Sequence, residues 1–186
     1  MRAFIAIHPS PKVVEKLEDL RAQLRTDLPD SAVRWSNQLH LTTQFLANID
    51  DAHVNEYAAA IRAACSGVKA FTLSCTGMGC FPSARQPRVI WTGLGGEVEQ
   101  LLKLKTSLDH ALKPLGYIPE NRAFKPHLTI ARVRELNTKQ RQLMPKLVEQ
   151  YTEAKFGEWR VDRVELMQSM LSPKGAKYKV VEFVQL

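Results

Sequence analysis

The sequence predicts a two-lobed α/β (α+β) fold: two antiparallel sheets flanked by helices, with a cleft between them. Three observations carry that prediction. The order strand–helix–strand–helix–strand runs along the chain twice. The spacing inside the copies matches: His40 lies 38 residues after Arg2 and His127 lies 39 after Arg88, while Phe71 follows His40 by 31 and Val161 follows His127 by 34. The second strand of each copy also carries the tripeptide His-Leu-Thr. With 186 residues the chain has room for one domain of ordinary size. Residues 1–186 are therefore read as a single bilobal domain whose two copies are related by a pseudo-two-fold axis.

The elements follow in order. Residues 2–7, RAFIAI, form a short apolar run that reads as a strand. Ser10 offers an N-cap, Pro11 suits the first helical turn, and Val13, Leu17, Leu20 and Leu24 recur at helical spacing, so a helix is expected over 11–27. Residues 40–46 read as a strand, Asp50 or Asp51 as the cap of a second helix, and 71–79 as a strand running into glycines. In the second copy, 88–94 is a strand, 97–113 a helix and 127–133 a strand. A fourth helix falls within 138–154, where Pro145 must either kink it or mark its start. Residues 159–171 form one long strand or a bent pair, and 177–186 the closing strand.

Composition narrows the class of partner. The chain is 45% apolar and 24% charged, which is globular, and its net charge of +7 favours an anionic partner such as nucleic acid or a phosphorylated small molecule. Three cysteines without a CxxC argue against a disulfide framework or zinc knuckle and for a reducing, cytoplasmic setting. The opening apolar run is too short for a signal peptide, and no long uncharged run suggests a membrane span.

Side chains alternate across a strand, so His40 and Thr42 share one face, as do His127 and Thr129, while Leu41, Leu128 and Ile130 point to the core. Two such strands across a pseudo-two-fold would bring two imidazoles and two hydroxyls to one small volume. That set suits phosphoryl chemistry without a metal. Histidine's reference pKa of about 6.5 lets one ring accept a proton while its partner donates one. The hydroxyls can bond the non-bridging oxygens. From the residues alone the two roles are interchangeable. A metal would want three or four ligands, and neither motif holds a carboxylate or cysteine. No GxxxxGK[ST] or GxGxxG supports a nucleotide-triphosphate loop. His8, His53 and His110 stand alone and are read as incidental.

These residues resemble a family. HLTT and HLTI look like the paired HxTx motifs of the two-histidine phosphoesterase superfamily, in particular its RNA 2′,3′-cyclic phosphodiesterases, the LigT-like proteins also called 2′-5′ RNA ligases. RAFIAIHPSPKVVEKL, RWSNQLHLTTQFL, RVIWTGL, FKPHLTIAR and LMQSMLSPKGAKYKVVEFVQL resemble successive parts of that family over nearly the whole chain. Thr43, where the family carries an apolar residue, and FLANID in place of Phe-Leu-Gly depart from it.

The resemblance implies hydrolysis of RNA ending in a 2′,3′-cyclic phosphate to a 2′-phosphate, without metal or cofactor, with His40 as proton donor and His127 as acceptor. It leaves open 2′-5′ ligation as a reverse activity. It also implies a monomer acting on RNA ends, tRNA fragments or nucleotides. Around the site, Lys125, Arg132, Lys177 and Lys179 are expected on phosphates and Phe124, Trp35 and Tyr178 on bases, with Arg85 and Arg88 in a Pro-rich loop bordering the cleft. Arg132 falls on the opposite alternation from His127, so it reaches the cleft only if the strand bends or ends there. The competing classes are a phosphodiesterase for small cyclic nucleotides or 2′,5′-oligoadenylates and a non-catalytic RNA-end-binding protein.

Overall fold

The computed structural model describes residues 1–172 and 175–186. Nine strands and four helices are found among them: β1 (Arg2–Ile7), α1 (Pro11–Leu24), β2 (Val33–Trp35), β3 (Leu41–Asn48), α2 (Val54–Cys65), β4 (Phe71–Pro82), β5 (Pro87–Gly96), α3 (Val98–Leu112), β6 (His127–Val133), α4 (Thr138–Gln150), β7 (Lys155–Val161), β8 (Arg163–Ser172) and β9 (Gly175–Gln185). They build two antiparallel sheets, ordered β3-β1-β8-β9 and β2-β6-β5-β4-β7.

Local chemistry accounts for most boundaries. β1 is apolar on both faces because Ala3, Ile5 and Ile7 pack into the main core while Phe4 and Ala6 pack with Met167 on the other face, so its residues from Ala3 to Ile7 are buried. Ser10 accepts a hydrogen bond from the Val13 amide and Pro11 opens α1, which ends at Leu24, one turn earlier than its apolar spacing suggests. Asp50 caps a single 3₁₀ turn, Asp51–His53, that leads into α2. Pro145 neither starts nor ends α4. Asn137 and Gln140 form a reciprocal capping box at its N-terminus, and the proline stands inside the helix. The 159–171 region is a bent pair: the chain breaks at Asp162, and β7 and β8 enter different sheets.

The sheets do not correspond to the two copies in the sequence. β1 and β3 of the first copy are completed by β8 of the second, and β5 and β6 of the second by β4 of the first. The reason is local: β4 and β5 are joined by the short turn 83–86, so hairpin pairing claims β4 for the second sheet. The Pro-rich segment around Arg85 is that turn. The helices cross over likewise. α1 packs against β7 of the second sheet, while α3 packs against α2 and against β3 of the first. A main core of aliphatic and aromatic side chains spans both sheets and the helices. No helix among the described residues is long and apolar enough to cross a membrane.

Candidate active site

β3 is the edge of the first sheet and β6 lies second from the edge of the other, and the two strands approach to within 8 Å between Cα atoms. Along each, the alternation is as the residues dictate: Leu41, Leu128 and Ile130 are buried, while His40, Thr42, His127 and Thr129 are half-buried on the opposite face. The two rings are anchored alike. Nδ1 of His40 donates to the Gln38 carbonyl at 3.1 Å, and Nδ1 of His127 to the Lys125 carbonyl at 2.7 Å. A carbonyl only accepts, so each neutral ring carries its hydrogen on Nδ1 and keeps Nε2 as the open basic nitrogen.

The position after each threonine is a bulge. On β3 the pairing with β1 runs from Thr42 opposite Ala6 directly to Gln44 opposite Ile5, so Thr43 is the extra residue. On β6 the pairing with β5 runs from Thr129 opposite Trp91 to Ala131 opposite Ile90, so Ile130 is extra. An extra residue shifts the alternation by one. Arg132, wrongly phased for an unbroken strand, therefore shares a face with His127 and Thr129. Its positive charge contributes to depressing the pKa of both His40 and His127. The polar Thr43 is buried and its hydroxyl donates to the Ile5 carbonyl at 3.3 Å, so the departure from an apolar residue is absorbed by a hydrogen bond inside the sheet.

His8 corrects the sequence reading. It is not incidental: its ring centroid lies 6.0 Å from that of His40. Its Nδ1 lies 2.8 Å from Oε2 of the buried Glu165, and Arg163 Nε meets the other carboxylate oxygen at 2.8 Å. The Gln38 side-chain amide sits 3.1 Å from His8 Nε2. Gln38 thus touches His8 through its side chain and His40 through its backbone. Nothing in the sequence signals this cluster, because β1, β8 and the 36–40 loop meet only in the fold.

Aromatic rings wall the site on both sides. Phe4 and Tyr178 each approach His40 at 5.0 Å between centroids, while His127 is approached by Phe81 at 5.0 Å and by Trp91 at 6.3 Å. Gly79 is required beneath Trp91, since a Cβ there would stand 2.3 Å from the indole. Of the predicted substrate contacts, Arg132, Tyr178 and Lys125 are at the site, the last with its ammonium 6.0 Å from the Phe81 ring centre. The others lie elsewhere. Lys177 and Lys179 alternate with Tyr178 and so take the opposite face of β9. Trp35 pairs with the buried Ala131, donates to Asp30 at 2.8 Å and carries Arg25 over its ring, on the helix side of the sheet. Phe124 packs against the main core under Lys105 of α3. Phe4, Phe81, Trp91 and Gln38 were not anticipated.

Burial first, then the charges of His8 and Arg132, push His40 down to about 4, against the opposing pull of the Gln38 carbonyl. Burial first, then Arg122 and Arg132, lowers His127, against the pull of the Lys125 carbonyl. Both rings of the protein alone are therefore neutral at neutral pH. This has a consequence for stability. In the unfolded chain His40 takes up a proton as pH falls below its ordinary 6.5, whereas in the native protein it resists until about 4. Stability is thus fully present above the unfolded value and is lost as pH falls through this window, by at most roughly 3 kcal/mol from this ring. Urea titrations of the parent and of His40→Asn at pH 7 and pH 4 should show a smaller acid loss in the variant. Equal losses would mean that His40 titrates normally in the native state.

Comparison with known proteins agrees with this architecture. The 2′-5′ RNA ligase superfamily profile matches residues 8–170. The chain is 35% identical over 181 residues to a protein of Archaeoglobus fulgidus named RNA 2′,3′-cyclic phosphodiesterase, covering 96% of this chain and 97% of that one. It is 29% identical to the Aquifex aeolicus protein of the same name, covering 98% and 95%. Among solved structures, TT0787 of Thermus thermophilus superposes with a TM-score of 0.82 at 28% identity, covering 100% of this chain and 98% of that one. LigT of E. coli, in complex with 3′-AMP, shares the fold with a TM-score of 0.76 at 23% identity, covering 100% and 97%. With two His-x-Thr strands facing each other from a strand-exchanged pair of sheets, and a profile match over most of its length, the chain belongs to the 2′-5′ RNA ligase superfamily.

Proposed function

We propose that this protein is an RNA 2′,3′-cyclic phosphodiesterase that opens the cyclic phosphate at an RNA 3′ end to a 2′-phosphomonoester, by acid–base catalysis between His40 and His127 and without a metal. The observation that carries the reading is the matched pair of rings, each held through Nδ1 and each with Nε2 open, on strands that approach across one cleft. The names of relatives that span the chain support the reaction class.

The reaction is a single displacement. Water attacks phosphorus, and His127 Nε2 takes its proton. The bond from phosphorus to O3′ breaks, and O3′ receives a proton from Nε2 of His40. The product is a 2′-phosphomonoester with a free 3′-hydroxyl, and the two rings have exchanged protonation states. His40 must be protonated at the outset. The negative charge of the bound diester raises both rings from their depressed values in the protein alone. The Thr42 and Thr129 hydroxyls donate to the non-bridging oxygens, and Arg132 faces the same charge. A 5′-hydroxyl of a second RNA in place of the water would give a 2′-5′ linkage by the same proton transfers. Among the described residues no group of three or more His, Cys, Asp or Glu is gathered as metal ligands would be.

The test is turnover of an oligonucleotide ending in a 2′,3′-cyclic phosphate, in excess chelator, with the phosphate position of the product identified. A 2′-phosphate at undiminished rate is expected. A 3′-phosphate product, or activity lost in chelator and restored by zinc or manganese, overturns the mechanism.

A further inference from the structure

β2 is three residues long, pairs only with β6, and forms the open edge of its sheet. Its flanking residues are accounted for: Val33 is buried in the core, and Trp35 packs against it. Arg34 between them must point the other way, and it is exposed. It stands directly opposite Arg132 across the β2–β6 ladder, so the two guanidinium groups share one face. Like charges directly opposed on neighbouring strands repel. No carboxylate relieves them: among the described residues the arginines in ion pairs are Arg21, Arg25, Arg62, Arg122 and Arg163. Asp30, the acidic residue closest along the chain to Arg34, is taken by Trp35 and Arg25.

The pair is contiguous with the reaction site, because the bulge at Ile130 puts Arg132 on the face that carries His127 and Thr129. Arg34 lies one strand further out, about 4.8 Å on the strand spacing, at the open edge of the sheet. Two exposed guanidinium groups side by side can hold neighbouring phosphates of one chain. We infer that Arg34 binds the backbone phosphate next to the reacting one, on its 5′ side, while Arg132 beside it faces the reacting phosphate, so that Arg34 makes the enzyme prefer a polynucleotide end to a free cyclic nucleotide. This rests on the reading of the cleft as a site for RNA cyclic phosphate ends.

The experiment compares Arg34→Gln and Arg34→Lys with the parent on two substrates, an oligonucleotide ending in a 2′,3′-cyclic phosphate and a 2′,3′-cyclic mononucleotide. Loss of one charge-assisted phosphate contact should raise KM for the oligonucleotide about tenfold in Arg34→Gln. Turnover of the mononucleotide should be unchanged. The slope of log affinity against log salt for the oligonucleotide should become shallower by about 0.7, one single-strand phosphate contact. Arg34→Lys should keep the parent slope and part of the affinity. Equal losses on both substrates, or none on either, overturn the inference. If the parent turns over neither substrate, the functional reading itself has failed. The salt slope for binding an oligonucleotide with a 2′-phosphate end, measured by fluorescence anisotropy, still decides whether Arg34 contacts the chain.

Discussion

His40→Ala and His127→Ala should each lower kcat on an RNA 2′,3′-cyclic phosphate by roughly 10²–10⁴, with little change in KM, because each removes one proton transfer and leaves the phosphate contacts in place. The double variant should fall well short of the product of the two losses, since neither transfer works fully without the other. Steady-state kinetics on the three variants tests this. The roles separate on a substrate whose leaving oxygen needs no proton: His40→Ala should be rescued there and His127→Ala should not. Rescue of His127→Ala alone would exchange the assignments of donor and acceptor. Full activity of either variant on the RNA substrate would remove the acid–base pair.

The next largest effect is expected at Arg132. Its face is set by the bulge at Ile130, and its charge lowers the pKa of both rings. Charge develops on the non-bridging oxygens as water attacks, so Arg132→Ala should lower kcat/KM by about 10²–10³. Arg132→Lys should recover only part of that, because an ammonium keeps the charge and loses the planar fork. The pH profile gives a second readout. With the charge removed, both imidazoles should titrate at higher pH than in the parent. A loss of activity with both titrations unmoved would mean that Arg132 acts on the substrate alone and stands too far from the rings to influence them.

The parts of this fold that follow from short-range chemistry were readable in the residues. Ser10 and Pro11 with the leucine spacing behind them mark the start of α1, and the apolar run of β1 marks a central strand. The His-x-Thr repeats mark both strands of the proposed acid–base pair. Features that depend on pairing were not readable. β2 is too short to show a period, yet it carries Arg34. The bulges at Thr43 and Ile130 are visible only against the partner strand, and without them Arg132 faces the wrong way. His8 meets His40 through three segments that are distant in sequence. Lys177 is different. It sits beside Tyr178 in the chain, and strand alternation alone already sends the two to opposite faces.

The exchange of strands between the sheets bears on how the protein is made. Ile5 pairs with Leu166, 161 positions away, so the central strand of the first sheet waits for its partner until most of the chain has been synthesised. A ribosome that has released the first 86 residues has delivered β1 without β8 and β4 without β5, each with open ladder edges. The first copy in the sequence is therefore not a unit that can fold ahead of the second, as an independent N-terminal domain would. Its separation of contacts belongs with the slower-folding topologies. The nascent chain has to be kept from pairing with its neighbours until β8 emerges.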